Sequence, residues 1–408
     1  MMKFIHKIHL WLSVPFGAII TLVCFSGAML VFEPEITRWI RSDVYYVSSR
    51  QTDPIEMGRL METVKATLPD SVSITGVTVF NDKDRTYQVN LSKPRRASIF
   101  IDQYSGRITG KSERIAFFST MFKMHRWLLD NANPHGNGIK TGKMLVGIST
   151  LVFVIALLTG VAIWWPRARK NLRRNLTVPF KNGWKGLWKG LHVAGGMYAL
   201  IVLLAMSLTG LTWSFGWYRS AFYKVCGVEY SSANPHAGTK HEKTGISRNA
   251  SSYSGQHGGN RHSIKPGHRT IQEKIQRDSE FCRWQQVYNE LARQNPCADR
   301  ITIGRDEASV TLGVNGNTRA ADRYEIDRHS GKISNVIKYA DSADADKLRG
   351  WIYSIHTGNL GGMTTRILWF LGALIGASLP LTGYYIGSAD FSGGREREYQ
   401  EYSVIFAK

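Results

Sequence analysis

Four histidines stand where a chain of this kind could hold metal. His9 and His192 each open a long apolar run, and a hydroxyl-glycine pair follows 17 residues later in both, Ser26-Gly27 and Thr209-Gly210. His125 and His356 each precede a further apolar run, and these runs end Leu158-Thr-Gly-Val and Leu381-Thr-Gly-Tyr. Histidines in equivalent places on two copies of one unit suggest paired ligands. Two imidazoles facing each other suit the iron of a b-type haem, held from both sides. Bis-histidine ligation leaves no open iron position, which favours electron transfer over gas binding. Zinc fits less well, because no Cys or carboxylate repeats beside the histidines to complete four ligands. A lone histidine at a helix end is usually an interfacial residue with an ordinary polar partner. Four in symmetric pairs at membrane depth point to function.

The elements that must position these side chains are themselves duplicated. Phe100-Ile-Asp-Gln-Tyr-Ser-Gly-Arg-Ile returns as Glu325-Ile-Asp-Arg-His-Ser-Gly-Lys-Ile. The chain therefore reads as two copies of one unit: histidine and span, outer module, histidine and span. Both copies run in the same order, so the repeat is parallel, with its axis along the membrane normal and equivalent residues at equal depth. On that reading His9 faces His192 near the cytoplasmic side and His125 faces His356 near the outer side. His6 lies one turn before His9, has no counterpart in the second copy, and is the competitor of His9 for the inner site. The remaining histidines, at 135, 236, 241, 257, 262, 268 and 329, belong to polar loops.

Stretches 10–32, 144–165, 191–218 and 367–389 carry no Asp, Glu, Lys or Arg. A bilayer crossing takes about 20 apolar residues, so each can span. The expected fold is a membrane α-helical protein with four transmembrane helices, arranged as two parallel-repeat pairs, and two extracytoplasmic α+β modules. Its parts are a first helix over 1–33, an outer module and approach over 34–143, a second helix over 144–165 and a basic linker over 166–190. A third helix over 191–218 leads to a second outer module over 219–366, then a fourth helix over 367–389 and a tail over 390–408. Within the first module the apolar spacing predicts a helix over 55–68, then strands near 72–79, 86–91 and 97–102, a turn at Ser105-Gly106 and a last strand from Ile108. The second module predicts a helix near 280–294 and strands near 300–303, 308–314 and 322–326. Its insertion at 231–270 is rich in Ser, Gly, His and Asn and reads as a flexible linker.

Lysine and arginine total 52 against 31 acidic residues. Such a surplus can mark a nucleic-acid partner, but its position argues against one. The 166–190 linker holds Arg167, Arg169, Lys170, Arg173, Arg174, Lys181, Lys185 and Lys189 and no acid. Short basic loops beside spans stay in the cytoplasm. Both termini are then cytoplasmic and both long loops external. The first span is too long for the h-region of a signal peptide and matches the third position by position. Of four cysteines, Cys24 lies within a span, and Cys226, Cys282 and Cys297 lie in the second outer loop, where Cys282 and Cys297 could bridge. No C-x-x-C-H is present, so covalent c-type haem is not expected. Pro15 and Pro380 could each kink a span.

Several motifs together resemble one family. They are the His-x-Trp-Leu start of the first span, the D-x-x-S-G-[RK]-I strand-turn, His125-Arg-Trp-Leu-Leu and His356-Thr-Gly-Asn-Leu-Gly-Gly. The chain is similar in these to the PepSY-associated transmembrane family, bacterial inner-membrane proteins often linked to iron uptake. Some members are di-haem ferric-siderophore reductases with periplasmic PepSY-type modules. The resemblance implies two haem b groups, ligated here by His9 with His192 and His125 with His356. It implies electron transfer across the inner membrane to a ferric siderophore or other Fe(III) chelate at the periplasmic face, releasing Fe(II). The electron donor would be a quinol or a cytoplasmic flavoprotein, because no flavin or nicotinamide domain is fused. Arg126 and Arg366 are candidate partners for haem propionates, or simple anchors at the membrane interface. The alternative is a non-enzymatic membrane anchor whose outer modules bind peptides, restrain a protease or sense a ligand.

Overall fold

The computed structural model describes residues 2–49, 53–94, 96–130, 141–179, 183–229, 269–313, 316–327 and 330–405. The 231–270 insertion, apart from its last two residues, and the polar-loop histidines fall outside these. A long helix α1, Met2–Leu30, leads through α2, Glu33–Ile40, and α3, Ser42–Tyr45, to the outer helix α4, Met57–Ala66. Strands β1 (Ile74–Phe80), β2 (Tyr87–Leu91), β3 (Ser98–Ile101) and β4 (Ile108–Lys111) follow, then α5, Ala116–Trp127. Helix α6, Thr141–Ala168, returns through the bundle to the short helices α7, Leu172–Asn175, and α8, Gly183–Gly190. The second half repeats the plan: α9, Gly196–Ser214; α10, Gly216–Val225; α11, Arg269–Gln294; strands β5 (Ala298–Gly304), β6 (Glu307–Leu312), β7 (Ala321–Ile326) and β8 (Ile333–Ile337); α12, Asp344–Thr357; and α13, Gly362–Ile405.

Four helical stretches are long and apolar enough to cross a bilayer: Met2–Leu30, Thr141–Pro166, Gly183–Ser214 and Gly362–Ser388. Their outer faces are apolar and open, with Trp11 77%, Ile201 79% and Leu381 54% exposed, as lipid-facing helices require. Inside the bundle Ile20, Phe153, Leu157, Ala199, Leu203 and Leu379 pack together, joined by Phe16, Cys24 and Met206. The third span differs from the expected 191–218. It starts earlier, on α8, and the helix stops at Ser214 because Phe215 is extended (φ −122°, ψ 129°). Between α8 and α9 the residues Leu191–Gly195 form one π-helical turn, and His192 sits on it.

The two sets of outer strands are not separate. They form one antiparallel sheet of eight strands in the order β4-β3-β2-β1-β5-β6-β7-β8. The join is β1 with β5, where Val77 pairs with Ile303 and Thr78 with Thr302. Two half-sheets that each expose a hydrogen-bonding edge satisfy it by pairing with each other. Both long outer helices share the sheet's apolar face, so Met57, Leu60, Met61 and Val64 of α4 meet Phe281, Trp284, Val287 and Leu291 of α11 over a single core. The expected strands are present, with β8 added at the edge of the second set. Cys282 and Cys297 are both free. Cys282 turns toward Gly58 on α4, whereas Cys297 sits in the turn before β5.

Candidate cofactor site: four docked histidines

Each of the four histidines lies against a hydroxyl-glycine pair of a neighbouring helix, and in each the Nδ1 atom meets the backbone carbonyl four residues before that glycine. His9 on α1 reaches the Ala156 carbonyl of α6 at 3.1 Å, beside Thr159-Gly160. His192 reaches the Leu379 carbonyl of α13 at 3.1 Å, beside Thr382-Gly383. His125, in the last turn of α5, reaches the Val23 carbonyl of α1 at 2.9 Å, beside Ser26-Gly27. His356, in the last turn of α12, reaches the Met206 carbonyl of α9 at 2.9 Å, beside Thr209-Gly210.

A carbonyl can only accept, so Nδ1 must carry the proton in all four rings. The threonines agree. Thr159, Thr209 and Thr382 donate their hydroxyl hydrogens to carbonyls of their own helices, which leaves their oxygens to accept from Nδ1 at 3.0, 3.3 and 2.9 Å. Ser26 instead gives its hydroxyl to Leu22 and Val23. In the neutral ring a proton on Nδ1 leaves the Nε2 lone pair free, and among the described residues no hydrogen bond engages Nε2. A ring fixed through one nitrogen with the other left basic is the state in which histidine ligates metal.

The glycines let the rings lie close. A Cβ at Gly27 would fall 2.9 Å from Cε1 of His125, and one at Gly210 would fall 3.1 Å from Cε1 of His356. The inner contacts are looser, 3.6 Å at Gly160 and 3.4 Å at Gly383. Other partners fix the approach helices. Leu128 (φ 50°) ends α5 and Gly358 (φ 75°) ends α12. Beside His356, Trp213 packs edge-on at 5.0 Å, and Trp369 of α13 donates to the Ile355 carbonyl at 2.6 Å.

The rings come together in two pairs. His9 faces His192 with centroids 6.4 Å apart and planes at 86°. His125 faces His356 with centroids 6.0 Å apart and planes at 51°. Metal–imidazole bonds of about 2 Å on each side, with each ring centre about 1 Å behind its nitrogen, separate two centroids by about 6 Å. Both pairs therefore have the spacing of two ligands on one metal. No group of three or more His, Cys, Asp or Glu is gathered among the described residues, so each site offers two ligands and no more. That donor set fits an ion whose other positions are filled by a macrocycle, and it does not fit a tetrahedral zinc. His6 is exposed, and the ring that meets His192 is that of His9.

A profile of the PepSY-associated TM region family matches residues 6–387. The chain belongs to this family. It is a multi-pass membrane protein of that family, with four candidate spans. No curated protein matches the sequence.

Of the two arginines expected near the outer pair, Arg366 is committed elsewhere. Its guanidinium grips Glu35 through two bonds of 2.6 Å and caps the Val31 carbonyl at the end of α1. Burial, the largest single influence, raises the Glu35 carboxyl, but the Arg366 hydrogen bonds, a backbone hydrogen bond and the Arg366 and Arg38 charges together hold it below the usual range. Arg126 lies against the rings of Trp127 and Phe122 at 5.4 and 5.9 Å. The residues that sequence reasoning missed are the dock partners. Thr159 and Thr382 were visible only as echoes of Ser26 and Thr209, and nothing in the sequence says which helix receives which ring.

Proposed function

We propose that this family member is a di-haem b-type cytochrome of the bacterial inner membrane that passes electrons outward to a ferric chelate and releases Fe(II). The observation that carries the reading is the fourfold dock: two facing pairs of neutral imidazoles at metal-bridging distance, each anchored through Nδ1. His9 with His192 would hold one haem and His125 with His356 the other, giving paired ligands related by the parallel repeat. Bound haem b supplies reversible one-electron chemistry without an open iron position.

The chain's own residues do the rest. The Nδ1–carbonyl bonds fix ring orientation and keep Nε2 basic. Ile20, Phe153, Leu157, Leu203 and Leu379 pack together inside the bundle. Val23, where the outer ring docks, follows His9 by 14 residues on α1, a rise of about 21 Å. By the positive-inside tendency the basic 166–190 linker favours a cytoplasmic position for that end of the bundle, with the sheet outside. The donor would be a quinol or a cytoplasmic flavoprotein, and the acceptor a chelate whose hard oxygen donors hold Fe(III) better than Fe(II).

The reading is tested in sealed vesicles with reductant inside, and ferric chelate with an Fe(II) indicator outside. Wild-type protein should develop external Fe(II), and His125→Ala should not. Equal rates in both, or none in a protein shown to carry haem, would remove the assigned path. A purified protein without haem returns the chain to the binding or regulatory reading.

A further inference from the structure

On the outer side, where α2 leaves the membrane, a cavity of about 320 Å³ lies between that helix and the strand face. Thr37 and Arg38 of α2 line it, with Tyr45, Arg85, Ser112 and Arg114 from the strand side, and the carboxylates Glu33 and Glu113 line it too. Three guanidiniums thus converge on one hollow. Two have carboxylate partners, though Arg38 shares Glu35 with Arg366. Arg114 forms a two-point bridge to Glu33, and Arg38 pairs with Glu35 at 3.1 Å. Among the described residues Arg85 forms no ion pair. It rests over the Phe80 ring at 4.0 Å, and its Nε is buried without a hydrogen bond. Burial, and then the neighbouring Arg38 charge, disfavour its protonated form, although the nearby Asp82 charge favours it. A half-buried, unpaired guanidinium facing hydroxyls and a second cation lacks an anion.

The orientation of α2 says where that anion comes from. Ile36, Trp39 and Ile40 stand exposed on one side of the helix, 37%, 80% and 55% open, and make its lipid-facing side. The cavity lies on the other side, walled by Tyr45, Arg85 and Ser112. Glu33 stands six residues after Gly27, the glycine under His125, just past the end of α1. A ligand here is close to the outer pair and far from the inner one.

We infer that this cavity receives an oxyanion group, and that its occupant is a carboxylate-bearing chelate of Fe(III). The occupant rests on the function proposed above; the anion site does not. Arg85 makes the decisive contact, fork to carboxylate, with Arg38 and the Tyr45 and Thr37 hydroxyls around it.

The test uses the full chain in nanodiscs and a redox-inert probe, the Ga(III)–citrate complex, with citrate and inorganic phosphate as comparisons. Binding is followed by calorimetry, so it is read without any electron transfer. Wild type should bind Ga(III)–citrate, and Arg85→Gln should weaken it at least tenfold at unchanged haem content. Arg38→Gln should weaken it less and is the deciding variant if Arg85→Gln fails to fold, because Arg85 also supports Phe80. Equal binding by wild type and both variants overturns the site, as does wild type binding no probe. Phosphatidylglycerol retained by wild type, lost in Arg85→Gln and not displaced by Ga(III)–citrate would make the site a headgroup site and overturn the occupant. Probe binding by a protein without haem would leave the anion site standing while removing the proposed function.

Discussion

The imidazole of His125 lies directly on Gly27, so near that a Cβ there would stand 2.9 Å from Cε1. At the inner level the matching distance, Gly160 to His9, is 3.6 Å, an ordinary contact. The two levels should therefore respond differently to one added methyl. Gly27→Ala must displace the ring or the helix, and disturbing the groups that orient a metal-binding imidazole typically costs about 10–100-fold in metal affinity. Gly160→Ala should keep wild-type haem content. The haem-to-protein ratio of the two variants checks this, and equal loss in both would mean that the contact does not set ring position.

The pairing itself predicts which haem is lost. His125→Ala and His356→Ala should each remove the same haem and leave the other, since the levels are about 21 Å apart along α1. At the inner level His9→Ala should remove the remaining haem, whereas His6→Ala should not, because the exposed His6 ring does not meet His192. Spectra of the four variants decide this. Loss of haem in His6→Ala with retention in His9→Ala would reverse the inner assignment.

The Glu35–Arg366 pair ties α2 to the start of α13. Side-chain exposure is 31% for Glu35 and 11% for Arg366, so the pair falls between exposed bridges and fully buried ones, at a coupling of about 1–2 kcal/mol. The folded protein holds the Glu35 pKa below its ordinary 4.5. This contribution is then complete above pH 4.5 and is lost as pH falls through the lower folded value. Glu35→Gln should melt below wild type at pH 7, and the gap should close under acid conditions. A gap independent of pH would mean that the pair does not contribute through charge.

Orientation follows from the basic linker. A single cysteine at Asp82, exposed on the outer domain, should react with an impermeant reagent in intact cells, and one at Lys185 on α8 should be protected. The opposite pattern would invert the protein and exchange the roles of the two pairs.

Much of the site was legible in the sequence because duplication marks it. The histidines at 9, 125, 192 and 356 and the hydroxyl-glycine pairs stand out by repetition alone. Their docking was not legible, because Val23, Ala156, Met206 and Leu379 act through backbone carbonyls, which any residue possesses. The π-helical turn under His192 follows a glycine-rich stretch, yet nothing in its spacing separates it from an ordinary helix. The strands were readable from alternation, but the β1–β5 join was not, since a strand edge shows nothing of its partner. Arg366 could be read from its membrane-proximal neighbourhood as a propionate partner or as a simple interface anchor. Glu35, its actual partner, lies 331 residues away in the chain.

The central claim is that the two histidine pairs hold two haems, and the most direct measurement is haem stoichiometry on the purified full chain. An absorption spectrum, oxidised and then dithionite-reduced, with haem b extracted and counted, should give two low-spin haems per chain. The inner planes cross at 86° and the outer at 51°, so electron paramagnetic resonance of the oxidised protein should resolve two distinct low-spin signals. A colourless protein, or one haem per chain with all four histidines intact, would contradict the account.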